Sequence, residues 1–196
     1  MPSIKELVKH LLYPSSSQPQ FKDRTAVIQA GSQGAEDRVI THPQYERLID
    51  HAQAVLAARG VQKQDKVLLT APNCAELGAA IIAGFRLGAV AVPVDFRLTA
   101  GEAANVAKQI SAKAIIAPAK VLQEISAKLE GTISGDQLID ILLLGPDAAK
   151  TSPESENAGL ASSVLDQIDL NAPAFIILTS GTTGMPKGAE DRKSVV

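Results

Sequence analysis

The sequence predicts an α/β fold, a mainly parallel sheet flanked by helices, and three observations carry that expectation. Short Val, Ile and Leu runs at residues 66–70, 90–94, 113–117 and 139–144 alternate with segments of helical periodicity, the order that places parallel strands between crossover helices. Capping signatures mark the starts of the helical segments. A last apolar run, residues 174–178, leads directly into a loop rich in glycine and hydroxyl side chains.

Each element follows from local chemistry. Ser3 with Glu6 three residues on is a capping box, and Ile4, Leu7, Val8, Leu11 and Leu12 then recur at helical spacing. Residues 13–23, rich in Pro, Ser and Gln, read as a loop. Residues 25–29 and 38–41 read as two strands of a hairpin around a long polar turn. From 43 to 59, Tyr45, Leu48, Ile49, Ala52, Val55 and Leu56 keep one helical face, and Gly60 stands where a left-handed C-terminal cap belongs. Residues 66–70 are a strand, Asn73 with Glu76 caps a helix ending near Gly88, and 90–94 is the next strand. Thr99 with Glu102 opens a helix to Ser111; a strand at 113–117, a helix at 118–129 and a strand at 139–144 follow. Residues 150–159 are polar and read as a surface loop.

Composition narrows the function. With 45% hydrophobic and 20% charged residues and a formal net charge of -2, the 196-residue chain is ordinary for a soluble protein. No basic stripe points to nucleic acid. The single cysteine, Cys74, cannot close an internal disulfide and fits a reducing compartment. It reads as a small buried residue rather than a nucleophile, since no histidine lies near it in sequence. His10, His42 and His51 stand apart, and no metal site is expected. Residues 77–94 approach membrane-spanning length, but Arg86 at their centre costs about 2.5 to 3.5 kcal/mol to insert. They read instead as a buried helix followed by a buried strand. Neither a secretion signal nor a transmembrane segment is expected.

The loop carries the chemistry. Thr179, Ser180, Thr182 and Thr183 cluster four hydroxyls, Gly181 and Gly184 free the backbone to approach an anion with several N–H groups, and Lys187 adds a positive charge before Gly188. Such a set suits polyphosphate oxygens better than it suits an ordinary polar turn. It is not the P-loop of NTPases: counting from Gly181, Pro186 stands where that motif needs glycine and Gly188 where it needs Ser or Thr. No G-x-G-x-x-G dinucleotide fingerprint occurs.

The run Thr179-Ser180-Gly181-Thr182-Thr183-Gly184-Met185-Pro186-Lys187-Gly188 resembles the signature loop of the adenylate-forming (AMP-binding) superfamily. That superfamily includes acyl- and aryl-CoA synthetases, luciferases and the adenylation domains of peptide synthetases. Residues 41–60, 65–88 with Pro93, and Arg97-Leu98-Thr99 ahead of Glu102 are similar in order to acyl-CoA synthetases, so the resemblance covers about residues 20–189. It implies that residues 1–189 are the N-terminal part of the adenylate-forming fold. It also implies ATP-dependent activation of a carboxylic acid through an acyl-adenylate, with Mg²⁺ as cofactor and CoA as acceptor. Thr179, Ser180, Gly181, Thr182, Thr183, Gly184, Lys187 and Gly188 would hold the β- and γ-phosphates, Lys187 in the catalytic role. An adenylation domain of a peptide synthetase, or a non-catalytic nucleotide- or partner-binding module, is the alternative.

After Ala189 the sequence leaves the family pattern: residues 190–196 read as a non-family tail, an artefact of the cut. The regions that the family uses for adenine, ribose, acyl group, Mg²⁺ and a second catalytic lysine do not occur in the chain. The fragment is therefore expected to be incompetent alone, with an incomplete sheet that leaves an open edge and apolar surface. The expected location is intracellular, cytoplasmic or peroxisomal, although Ser194-Val195-Val196 is not a peroxisomal signal.

Overall fold

The hairpin forms as expected. β1 (Thr25–Gln29) and β2 (Arg38–Thr41) pair antiparallel in a sheet of their own, with Ile28 opposite Val39. These belong to a computed structural model that describes residues 10, 19–21, 23–31, 34–129, 134–146, 171–179 and 187–192, with Pro19, Thr179 and residues 187–192 described by backbone alone. The helix expected at the N-terminus, apart from helical His10, and the loop expected at 150–159 lie outside the described residues.

Helix α1 (His42–Ala58) follows β2 without a gap. The Thr41 backbone N–H donates to Gln44 Oε1 at 2.8 Å and Pro43 occupies the first turn, where its missing N–H costs nothing. Gly60, at φ +73°, ends the turn after α1 in the left-handed region, as its position in the sequence predicted. The buried stripe Leu48, Ile49, Ala52 and Leu56 repeats at helical spacing and faces the core.

The main sheet has the order β6-β5-β3-β4-β7-β8. Its strands are β3 (Lys66–Leu69), β4 (Val90–Pro93), β5 (Ala114–Ala117), β6 (Leu138–Asp140), β7 (Pro173–Thr179) and β8 (Lys187–Arg192). All pair parallel except β7 with β8. Between them run α2 (Ala75–Arg86), α3 (Ala100–Ile110) and α4 (Ala119–Leu129). This is the α/β architecture that the alternation predicts.

Two layers of helix seal the two faces, and strand alternation decides which residue goes where. Val67 and Leu69 of β3, Ala91 of β4 and Ile116 of β5 share a buried cluster with α1 and α2. Leu68, Val92 and Ile115, one step along each strand, share the other with α3 and α4. Interior parallel strands buried on both faces read as unbroken apolar runs.

Two contacts fasten α1 to α2. The Arg86 side chain is fully buried; its Nη1 donates to Asp50 Oδ1 at 2.6 Å and its Nη2 lies 3.6 Å from Glu46 Oε1. The charge that argued against a membrane segment is thus neutralised inside the protein, and residues 77–94 are indeed the body of α2 and then β4. Gly78 is the second contact: a Cβ there would stand 2.6 Å from Tyr45 Oη, so the glycine makes room for the phenol.

The structure corrects two readings. Asn73 does not cap α2; Cys74 holds the N-cap position with no side-chain hydrogen bond, and Gln29 Oε1 instead accepts from the Ala75 N–H at 3.2 Å. The apolar run 139–144 is not one strand. β6 stops at Asp140, whose carboxylate accepts from the Leu142 N–H at 3.1 Å and turns the chain into the 3-10 segment Ile141–Leu144, leaving Leu142 76% exposed. β8 is, in addition, a strand that the sequence pattern does not announce.

Candidate functional site

The candidate loop is carried by the end of the sheet. β7 is apolar because its neighbour β4 lies beside it in parallel, Ala91 in register with Phe175, and Phe175 meets Phe85 of α2 edge to face at 4.9 Å. At its far end Thr179 is paired with Lys187 and Leu178 with Gly188. Residues 180–186 therefore connect two chain positions on one antiparallel rung, about 4.5–5.5 Å apart. Thr179 is the last residue of β7, and Lys187 and Gly188 are the first two of β8. Ser180, Gly181, Thr182, Thr183 and Gly184 lie outside the described residues.

The strand order gives this end a special position. The chain leaving β4 crosses β3 to reach β5, whereas the chain leaving β7 goes the other way, to β8. Neighbouring parallel strands whose connections part in opposite directions leave a crevice at their carboxyl ends, where open α/β sheets bind ligands. Thr179, at the carboxyl end of β7, leads into residues 180–186, and the turn from β4 to α3 leaves the carboxyl end of the neighbouring strand.

That turn is built from charge. Val94 at its start and Leu178 near the end of β7 pack on the same buried cluster. Asp95 folds the turn on itself. Its Oδ1 accepts from the Arg97 backbone N–H and from Arg97 Nε, each at 2.9 Å, and its Oδ2 accepts from Arg97 Nη2 at 2.6 Å and from Nε at 3.1 Å. The Arg97 guanidinium holds the Asp95 carboxyl down at about 2. The turn ends in the expected capping box: the Thr99 N–H donates to Glu102 Oε2 at 2.8 Å and the Glu102 N–H to Thr99 Oγ1 at 3.3 Å. The Thr99 hydroxyl, donating to Glu102 Oε2 at 2.7 Å, and then the Thr99 N–H lower the Glu102 pKa. The sequence reading passed over the Asp95–Arg97 pair; Asp-x-Arg after an apolar strand was the available signal.

A cavity of about 420 Å³ lies at the same edge of the sheet, beside the N-terminus of α2 and lined by Gln29, Arg38, Cys74, Glu76, Leu142 and Pro146. Its charge is already compensated, since Arg38 Nη1 donates to Glu76 Oε1 at 2.6 Å. Burial, the largest influence, pushes the Cys74 thiol up, against the Leu77 backbone N–H, which lowers it. A thiol so placed stays protonated near neutrality and is a poor nucleophile. Among the described residues no group of three or more His, Cys, Asp or Glu could hold a metal ion, and no helix is long and apolar enough to cross a membrane.

The profile of the AMP-binding enzyme family matches residues 15–190, nearly the whole chain and all of the loop. The chain belongs to that family. Among curated proteins, it is 35% identical over 170 residues to the long-chain-fatty-acid–CoA ligase FadD13 of Mycobacterium tuberculosis, covering 82% of this chain and 31% of the relative. It is 31% identical over 181 residues to the probable CoA ligase CCL9 of Humulus lupulus, covering 86% and 31%. The chain thus spans about a third of the length of these AMP-binding relatives. In structure it resembles the N-terminal domain of FACL13 from Mycobacterium tuberculosis, with a TM-score of 0.69 at 25% identity over 98% of this chain and 45% of that one. The fold is shared also with the anthranilate CoA ligase AuaEII, TM-score 0.74 at 21% identity over 95% and 33%.

Proposed function

We propose that the chain is the phosphate-gripping part of an ATP-dependent, AMP-forming acid:CoA ligase. The observation that carries this reading is the glycine- and hydroxyl-rich run 179–188, mounted between two paired strands at the carboxyl edge of a parallel sheet. Family membership and relatives named as CoA ligases support it.

In the proposed reaction an oxygen of the substrate carboxylate attacks the α-phosphorus of ATP, and the bond to the β-phosphate oxygen breaks. Acyl-adenylate forms and pyrophosphate departs. The thiol of CoA then attacks the acyl carbon and releases AMP. The task of residues 179–188 is to hold the departing β- and γ-phosphates: Thr179, Ser180, Thr182 and Thr183 through hydroxyls, Gly181, Gly184 and Gly188 through backbone access, and Lys187 as a point charge that stabilises the leaving group. Positioning and charge stabilisation supply most of the rate in phosphorus-centred displacement. Mg²⁺, when bound with ATP, neutralises further phosphate charge. The residues fit the polyphosphate by chemistry: donors, small side chains and one cation in a single run.

The substrate is a carboxylic acid. A fatty acid is the candidate that the name of FadD13 suggests, while other relatives are named for indoleacetate and for crotonobetaine and carnitine. The test has two arms on the 196-residue chain. Titration with Mg-pyrophosphate should show binding that Lys187→Ala weakens about tenfold. Acid-dependent exchange of labelled pyrophosphate into ATP should be absent, because this chain supplies the grip on the leaving group alone. Absence of any pyrophosphate binding would overturn the reading, and robust exchange would overturn the division of labour.

A further inference from the structure

The cavity beside the N-terminus of α2 has a smaller neighbour, with which it shares Arg38 and Pro146. We infer that this second cavity, about 210 Å³ between β2 and α1, binds a small organic carboxylate. The inference goes beyond the reading above and uses no residue of the run 179–188.

The polar part of its lining only donates. Arg38 and Arg47 carry N–H groups and no acceptor. Gln44 has its acceptor engaged: Oε1 takes the Thr41 N–H at 2.8 Å and the Thr41 hydroxyl at 3.2 Å, so its NH₂ is the end left to donate. Among the described residues no carboxylate lines this cavity.

The balance of charge calls for one negative charge. Arg38 Nη1 donates to Glu76 Oε1 at 2.6 Å, in the larger cavity. Arg47 has no such partner among the described residues, because the acids within one turn of it on α1 are directed to Arg86: Asp50 at 2.6 Å and Glu46 at 3.6 Å. With Arg38, Arg47 and Glu76 the site is left one positive charge in excess, which a monoanion balances.

The other walls, Val39, Ile40, Leu48 and Pro146, are apolar. A phosphate brings more than one charge near neutral pH and no hydrocarbon to set against them. A carboxylate on an apolar body presents two oxygens to a guanidinium fork and buries its carbon skeleton on the walls. The volume falls below the roughly 300 Å³ at which pockets for drug-sized ligands begin, so the body is small, of the order of a single ring. Val39, 56% exposed, stands at the open rim.

The experiment is an NMR titration of the ¹⁵N-labelled 196-residue chain with sodium benzoate, followed at the amides of residues 38–48, with benzamide and inorganic phosphate as controls. Benzoate should give saturable shifts there, and neutral benzamide none. Arg47→Ala should weaken benzoate about tenfold. Arg47→Lys, which keeps the charge and loses the fork, should recover part of the affinity. Val39→Glu sets a tethered carboxylate at the exposed rim and should also weaken binding; each variant is checked for an unchanged thermal midpoint. Benzoate binding that neither Arg47→Ala nor Val39→Glu alters would overturn the site, as would the absence of shifts at residues 38–48. Phosphate binding more tightly than benzoate would overturn the carboxylate as its ligand.

Discussion

β3 and β7 are written in the same apolar alphabet but live in different surroundings. Val67, Leu68 and Leu69 are each no more than 2% exposed, sealed by α1 and α2 on one face and α3 and α4 on the other. β7 is buried on one face, with Ala174 at 2%, Ile176 at 8% and Leu178 packed beside Ile176 on one cluster, but on its other face Ile177 is 49% exposed. The strand that anchors the fold is enclosed on both faces; the strand that carries the candidate loop is fully enclosed on one.

The sharpest way to break that comparison is to delete the same kind of side chain in both strands. Leu68→Ala should cost about 2–5 kcal/mol in urea unfolding, because a cavity opens under two helical layers. Loosening the α1–α2 lid over β3 comes next. Asp50→Asn removes the charge nearest the fully buried Arg86, leaving the longer contacts to Glu46 at 3.6 Å and Gln53 at 3.4 Å among those that remain, and about 3 kcal/mol should be lost. Gly78→Ala pushes a methyl at Tyr45 Oη and should cost about 1–3 kcal/mol; the double variant with Tyr45→Phe should recover part of it, a coupling that a double-mutant cycle reads directly.

A smaller effect belongs to pH. Burial foremost, then the negative charges of Cys74 and Glu76, pushes the Tyr45 phenol from its ordinary 10.0 up to about 12. The folded value exceeds the unfolded one, so this contribution is complete below pH 10 and lost as pH rises toward 12. Tyr45→Phe should flatten that alkaline limb of the stability profile. Last comes Ile177→Ala, expected within about 0.5 kcal/mol of the unaltered chain. A loss there as large as that of Leu68→Ala would show that this face of β7 is covered after all.

What could be read from sequence was what local chemistry decides. The hairpin at 25–29 and 38–41 has its predicted bounds, and Thr99 with Glu102 forms the predicted box, since each depends on residues a few positions apart. The misreadings share one cause: a distant or competing partner. Residues 139–144 are apolar enough for a strand, but the Asp140 carboxylate captures a backbone N–H and bends them. Residues 187–192 lack any alternation and are extended because β7 offers a ladder. Of the site, the type of chemistry was legible in the hydroxyls, glycines and Lys187. The Asp95–Arg97 clasp was passed over, because two charged residues in a turn leave no apolar periodicity to read.

The shared rung of Thr179 and Lys187 has a consequence for how the loop can evolve. Its two ends meet when the sheet forms, so the entropy of ring closure is settled by folding and not charged to ligand capture. Doubling the span between them would change that closure term by only about 0.6 kcal/mol. The integrity of the strands that hold residues 180–186 therefore sets little constraint on how many residues span the rung, and insertions here should cost the fold almost nothing.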